Sequence, residues 1–398
     1  MFSHQFCKKQ ELFCRKPEVL MQVNLEFWSA NRLEETKCKQ MKIPIIIIGG
    51  GPAGAATALQ LLNRGYECTI LEASPTFVRK PGETIPPQAY SIFKKSGIDA
   101  LLHHPSHLTC YGNRFVWGSQ QPADKSFFFN TVTQGWHLNR EIFEVQLADQ
   151  VSKNKGKYLS GCSMTSLNYY NEEWTVAYSD ANMQKQELRC SFIVDATGRK
   201  SRVARRLGIQ RKMIDKLAGI TACIPLAKKI QQFTYLESVE NGWWYAAPLA
   251  DQQLVLSLMT DTDLLPSNLR TTKELLHTAS VTSLIAEIID NCSAAANTLN
   301  ITSAATGYLS QRIGQNWLAV GDAAYSYDPI SSYGITSALE GGYYAGHAIA
   351  DYLNGDKESL SAYDWAISTA FSTYLKMLIG QYTLEKRWND SPFWSRRN

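Results

Sequence analysis

The chain has 398 residues, beyond the roughly 250–300 at which single hydrophobic cores stop growing, so one or two domains are expected. Its 44% hydrophobic and 19% charged composition excludes a disordered chain or a collagen-like repeat. The 40 Lys plus Arg against 36 Asp plus Glu give a formal charge of +4, with no long basic block of the kind that serves nucleic acid.

The 9 cysteines are scattered without a C-x-x-C pair. They read as reduced thiols of a cytoplasmic protein, with neither a disulfide framework nor a metal site. Residues 1–41 have mixed charge and no clear period, and read as an N-terminal extension dispensable for the fold. The competing reading is a small element that covers the first strand. The stretch Ile43 to Leu62 is long enough on paper to cross a bilayer, but Gly49, Gly50, Gly51 and Pro52 place a turn inside it. No other stretch qualifies and no signal-peptide core precedes it, so no membrane association is expected.

The β-branched run Ile45–Ile48 predicts a parallel strand buried on both faces. It leads into Gly49-Gly50-Gly51-Pro52-Ala53-Gly54, a G-x-G-x-x-G turn, then a helix from Ala55 to Arg64 and a strand from Tyr66 to Leu71 that ends at Glu72. Gly49 permits the tight turn, Gly51 lets backbone approach a pyrophosphate, and Gly54 lets helix and strand pack closely. The helix amides face the phosphates, and Glu72 stands at the distance of a ribose-binding carboxylate. The pattern specifies a dinucleotide without choosing which.

Further along, His103, His104 and His107 surround a proline and read as a surface loop without metal spacing. Phe127-Phe128-Phe129 reads as a buried strand. A second small-residue turn, Asp195-Ala196-Thr197-Gly198-Arg199, ends an apolar strand, with Arg202, Arg205 and Arg206 on the helix that follows. Those arginines are either a solvated face or an attraction for NAD(P)H phosphates or an acidic partner. A third strand end delivers Gly321-Asp322, then Asp328-Pro329-Ile330-Ser331-Ser332-Tyr333-Gly334-Ile335.

In this order and spacing the three motifs resemble the FAD-dependent aromatic hydroxylase superfamily, and they frame nearly all of the chain from residue 42. The resemblance implies an α/β fold. A glutathione-reductase-type FAD-binding domain would come from 42–115, 140–220 and 300–350. An inserted, mainly antiparallel substrate domain would take 116–139 and 225–299, and a helical C-terminal region 351–398. It also implies that Gly49, Gly51, Ala53 and Gly54 cradle the FAD pyrophosphate and that Glu72 holds the adenosine ribose. Gly198 would lie at the second turn, Gly321 and Asp322 at the ribityl chain, and Gly334 and Ile335 beside the flavin ring. Arg140 matches an arginine that often contacts FAD at the start of a helix.

Gly82-Glu83-Thr84-Ile85-Pro86 and Gly242-Trp243-Trp244-Tyr245-Ala246-Ala247-Pro248 resemble motifs of the tryptophan-halogenase-like branch. The halogenase lysine is replaced, with Cys110 or Tyr111 at its place, and Ser331 stands where halogenases carry an acid. The run from Glu385 to Arg397 looks like the C-terminal signature of flavoproteins that mature cysteine tryptophylquinone amino-acid oxidases. That likeness implies an FAD-dependent monooxygenase acting through a flavin C4a-hydroperoxide on a tryptophan of a partner protein, the oxidase precursor. Molecular oxygen is the co-substrate, and NAD(P)H or another donor reduces the flavin. Trp243 and Tyr245 would wall a dry cavity, or be sheet-core aromatics. Asp328 would position flavin or substrate, or cap a helix, and Ser331 would lie close by. The alternatives are a flavin monooxygenase or halogenase of free aromatic metabolites, and a noncatalytic flavin-binding maturation chaperone.

Overall fold

In a computed structural model of the protein, residues 44–292 and 299–397 are described; the expected extension 1–41 lies outside them. Ile45–Ile48 is the centre of a six-stranded sheet. Its strand order is Ile313–Gly314, Trp317–Ala319, Phe192–Asp195, Ile45–Ile48, Cys68–Glu72 and Lys157–Ser160. All neighbours run parallel except the first pair. Alternation sends Ile45 and Ile47 to one face and Ile46 and Ile48 to the other, and both faces are covered. On the first, Ile45 and Ile47 pack with helices Pro52–Asn63, Arg140–Lys153 and Gly334–Leu353. On the second, Ile46 and Ile48 meet Trp174 and Val176 of a three-stranded meander, Ser163–Tyr170, Glu173–Ser179 and Lys185–Cys190. A continuous apolar strand is the sequence signature of such two-sided burial.

The second sheet, which spans the expected substrate domain and is named the substrate sheet after it, has seven strands in the order Asn300–Ser303, Leu217–Pro225, Gln253–Asp261, Gly242–Pro248, Phe233–Val239, Gly112–Val116 and Ala123–Ser126. All pairs are antiparallel except Phe233–Val239 with Gly112–Val116. The sheet therefore takes residues 112–115, 217–220 and 300–303, which the expected boundaries gave to the FAD domain. Pairing decides membership, and no linker composition marks those junctions. Helices Thr272–Ala279 and Leu284–Ile289 bury the outer face. Glu237, itself buried, receives the Ser283, Leu284 and Ile285 amides at the start of the second helix.

Two local expectations are corrected. The strand lies at Ala123–Ser126, and only Phe127 is buried; Phe128 and Phe129 stand in the following turn at 71% and 90% exposure. A single apolar run cannot distinguish a strand from a turn whose first residue is anchored. His107 is buried rather than on a surface loop. It accepts from the Asn139 amide at 3.2 Å and its other ring nitrogen meets Gln146 at 3.1 Å, so it ties the 99–107 segment to the N-cap of the helix Arg140–Lys153.

Candidate active site

The glycine turn has different physical reasons at each glycine. Gly49 lies at φ +106°, and a Cβ there would stand 2.3 Å from the Ala196 carbonyl oxygen. At Gly54 a Cβ would stand 2.0 Å from the Gly49 oxygen. At Gly51 it would meet nothing within 4 Å, so the space ahead of that residue is open. The helix Pro52–Asn63 begins there without a side-chain cap and without an acid in its first turn, leaving free amides aimed at an anion. These residues fit a pyrophosphate.

Glu72 ends the neighbouring parallel strand and accepts from the Gly50 amide at 2.7 Å and the Ser74 amide at 2.9 Å. With Ser74, Thr76, Phe77, Lys80, Glu144 and Tyr158 it lines a small surface cleft. Arg140 donates to the Pro81 and Gly82 carbonyls at 3.0 Å each and to Glu144 at 2.7 Å. It thus tethers the segment leading to Glu83, and its buried Nε has no partner among the described residues.

The other two strand ends reach the same turn. Asp195 accepts from the Thr197 amide and hydroxyl and from the Ala204 amide, while burial pushes its carboxyl up. Gly321, at φ +59°, would carry a Cβ 2.7 Å from that of Ala53, which brings Asp322 over the first helix. Asp322 pairs with Arg199 at 3.2 Å. Gly198 and Gly334 each have open space where a Cβ would be, and Gly334 and Ile335 begin the helix Gly334–Leu353.

Against the substrate sheet lie two buried carboxyls that meet one strand, Gly242–Pro248. Asp328 accepts from the Tyr382 hydroxyl at 2.8 Å, and Tyr382 accepts from Trp243 Nε1 at 3.0 Å. Two residues along the same face, the Tyr245 hydroxyl contacts Thr84 at 2.7 Å and donates to Glu83 at 3.3 Å. Thr84 continues to Thr234 and on to His137, at 3.2 and 3.0 Å. Burial raises the Glu83 carboxyl, and it holds His137 neutral with a pKa of about 4. Glu83 was legible as part of a motif, but His137 and Thr234 carry no local signal, because only pairing of distant strands brings them to Tyr245. Trp243 has no exposure and packs edge-on to Trp117; here it is a core aromatic. Ser331 turns its hydroxyl back to the Asp328 carbonyl at 2.8 Å. Asp328 both caps the short turn Pro329–Ser331, accepting from the Ile330 amide at 2.9 Å, and reaches Tyr382.

Burial raises the Asp328 carboxyl to about 6. A raised acid keeps its proton in the folded chain after the unfolded chain has lost it, so its contribution to stability falls as pH climbs from about 4 through 6. Asp328→Asn, which never ionises, is expected to be more stable than wild type by roughly 2–3 kcal/mol at pH 8. The gain should vanish near pH 4. Melting temperatures of both proteins at the two pH values test this; a gain independent of pH would contradict it.

Three strand ends of one parallel sheet that converge on an anion-ready glycine turn, beside an antiparallel sheet with buried acids, define the class as FAD-dependent oxidoreductases. The chain belongs to the FAD-binding domain family, which it matches over residues 42–369. It is 29% identical over 367 residues to LodB of Marinomonas mediterranea, named as an FAD-dependent oxidoreductase, with 89% of this chain and 96% of that protein covered. The myxobacterial chondrochloren halogenase CndH superposes with a TM-score of 0.82 at 19% identity, covering 89% of this chain and 86% of the other. The peptidyl tryptophan dihydroxylase QhpG, essential for tryptophylquinone cofactor biogenesis, superposes with a TM-score of 0.74 at 22% identity, covering 90% and 79%. The sheet arrangement and the C-terminal helices are those of this halogenase-like fold. Among the described residues no helix is long and apolar enough to cross a membrane.

Proposed function

We propose that this oxidoreductase is a monooxygenase that hydroxylates a tryptophan side chain in a partner protein, the precursor of a cysteine tryptophylquinone amino-acid oxidase. The observation that carries the reading is the chemistry at the two positions where halogenases need a lysine and an acid. Cys110 is fully buried beside Thr234, Tyr111 is half exposed, and the Ser331 hydroxyl is engaged within its own turn. None supplies an amine or a carboxylate. The likeness to LodB across nearly its whole length and to QhpG in fold supports the partner-directed version.

Bound FAD, reduced by NAD(P)H or another donor, supplies an electrophilic oxygen taken from molecular oxygen. Gly49, Gly51, Ala53 and Gly54 hold its pyrophosphate, Glu72 and Arg140 its adenosine end, and Gly198, Gly321 and Asp322 its middle. Gly334 and Ile335 border its ring. Tyr245 and the strand bearing Trp243 exclude water from an indole substrate. Asp328, raised to about 6 by burial, holds or releases a proton, with Ser331 fixing the turn that carries it, and Glu83, its carboxyl also raised by burial, accepts from Tyr245.

The test is the peptide mass of a quinone-type oxidase partner, expressed with and without this chain. The expected result is oxygen added at one tryptophan only in its presence. An unmodified partner, with oxygenation or chlorination of a free indole instead, would move the assignment to metabolite chemistry.

A further inference from the structure

The helix Arg202–Arg206 leaves the second small-residue turn, and its residues 202, 205 and 206 share one side at i, i+3 and i+4. Together with Met164 these three arginines line a solvent-open groove of about 290 Å³, at the lower edge of the size range of small-ligand sites. None of the lining residues belongs to the glycine turn, to Glu72 or to Arg140. Four arginines elsewhere at the FAD domain each pair with a carboxylate: Arg64 with Asp351, Arg140 with Glu144, Arg199 with Asp322 and Arg312 with Asp364. Here Arg202 gives one N–H to the Ser163 hydroxyl at 3.1 Å. Arg205 and Arg206 have no ion pair or side-chain hydrogen bond among the described residues. Like charges crowded on a single helical turn oppose its formation, so an uncompensated trio suits an anion that comes and goes.

The helix is also fixed to the dinucleotide fold. The Ala204 amide donates to Asp195 at 2.9 Å and the Arg202 amide to the Thr197 hydroxyl at 2.6 Å. These acceptors belong to the strand end whose Ala196 carbonyl packs against Gly49. The groove is thereby held rigidly beside the FAD domain. Guanidinium forks match phosphate oxygens two at a time, and a concave floor suits a nucleotide better than a flat protein surface.

We propose that this groove binds the diphosphate of a second, exchanging dinucleotide, the carrier of reducing equivalents, a role that rests on the oxidoreductase reading above. The shared chemistry is the diphosphate, and its source is either a nicotinamide dinucleotide or a flavin dinucleotide delivered by a separate reductase. Calorimetric titration of FAD-loaded protein with NADPH, NADH, free FAD and inorganic pyrophosphate, each separately, tests it. Pyrophosphate and at least one dinucleotide should bind, more weakly at about 0.3 M salt. Arg205→Glu/Arg206→Glu should weaken them roughly tenfold or more while bound FAD stays unchanged. Arg205→Lys/Arg206→Lys, which keeps charge without the fork, should lose less. Binding of NADPH or NADH assigns the nicotinamide source, and binding of free FAD alone assigns the flavin source. No binding of any probe, or equal binding by wild type and the glutamate variant, overturns the proposal. So does a glutamate variant whose only deficit is failure to hold an acidic protein partner. An unmodified partner tryptophan together with intact nucleotide binding would refute the substrate reading and leave the groove assigned.

Discussion

Gly51→Glu is expected to abolish FAD retention while the polypeptide still folds. Gly51 has ordinary extended backbone, with φ −69° and ψ −176°, so a side chain strains nothing locally. Its missing Cβ faces open space, so the new carboxylate fits into the region where the helix amides await an anion. It would satisfy those amides itself and repel the diphosphate, weakening FAD binding by about 100-fold or more, equivalent to about 3 kcal/mol. The flavin-to-protein absorbance ratio of the purified variant should fall nearly to zero, with a circular dichroism spectrum like that of wild type. Gly54→Ala is the contrast. Its Cβ would press to 2.0 Å from the Gly49 oxygen, so that variant should lose fold stability as well as flavin. Full flavin content in Gly51→Glu would refute the site.

Glu385→Ala should cost about 3–5 kcal/mol, as expected when one member of a buried charged cluster is removed. Glu385 has no exposure. It accepts from the Gly118 amide at 2.8 Å, the Ser238 hydroxyl at 2.7 Å and Arg387 at 2.7 and 2.9 Å. Burial opposes its charge, yet these donors, Arg387 first, hold the carboxyl down at about 2. The sign follows: a depressed acid contributes stability above its unfolded value, and that stability is lost as pH falls toward 2. The variant should melt roughly 5–10 °C lower at pH 7, and the gap should narrow below pH 4. Because Glu385 joins the C-terminal run to Gly118 and Ser238, the same change should loosen Trp394 and Tyr382, which pack edge-on against Trp117, and with them the Asp328 contact. A gap that persisted unchanged at pH 3 would show that the cluster holds by packing alone.

The C-terminal run thus has a structural role that its sequence did not disclose. Phe393 and Trp394 are fully buried, and Arg397 reaches Asp261 at 2.6 Å while lying 3.8 Å over the Phe393 ring. Read along the chain, these residues are a signature of resemblance. Folded, they close one end of the inner face of the substrate sheet.

What the sequence determined by itself is local. Ile45–Ile48, the spacing of Gly49, Gly51 and Gly54, and Glu72 at the next strand end all lie within about 30 residues, where period, turn chemistry and helix start are set by neighbouring residues. The two later strand ends repeat that logic, so the FAD domain was readable. The tertiary structure alone decided which strands joined the substrate sheet, that Phe128 and Phe129 face solvent, and that His107 is buried. It also decided that Glu83 and Asp328 meet neighbouring positions of one strand through Tyr245 and Tyr382. Those contacts join residues separated by 54 to 162 positions. No local periodicity encodes a pairing at that distance, because its free energy arises only when the two sheets bury their facing surfaces together.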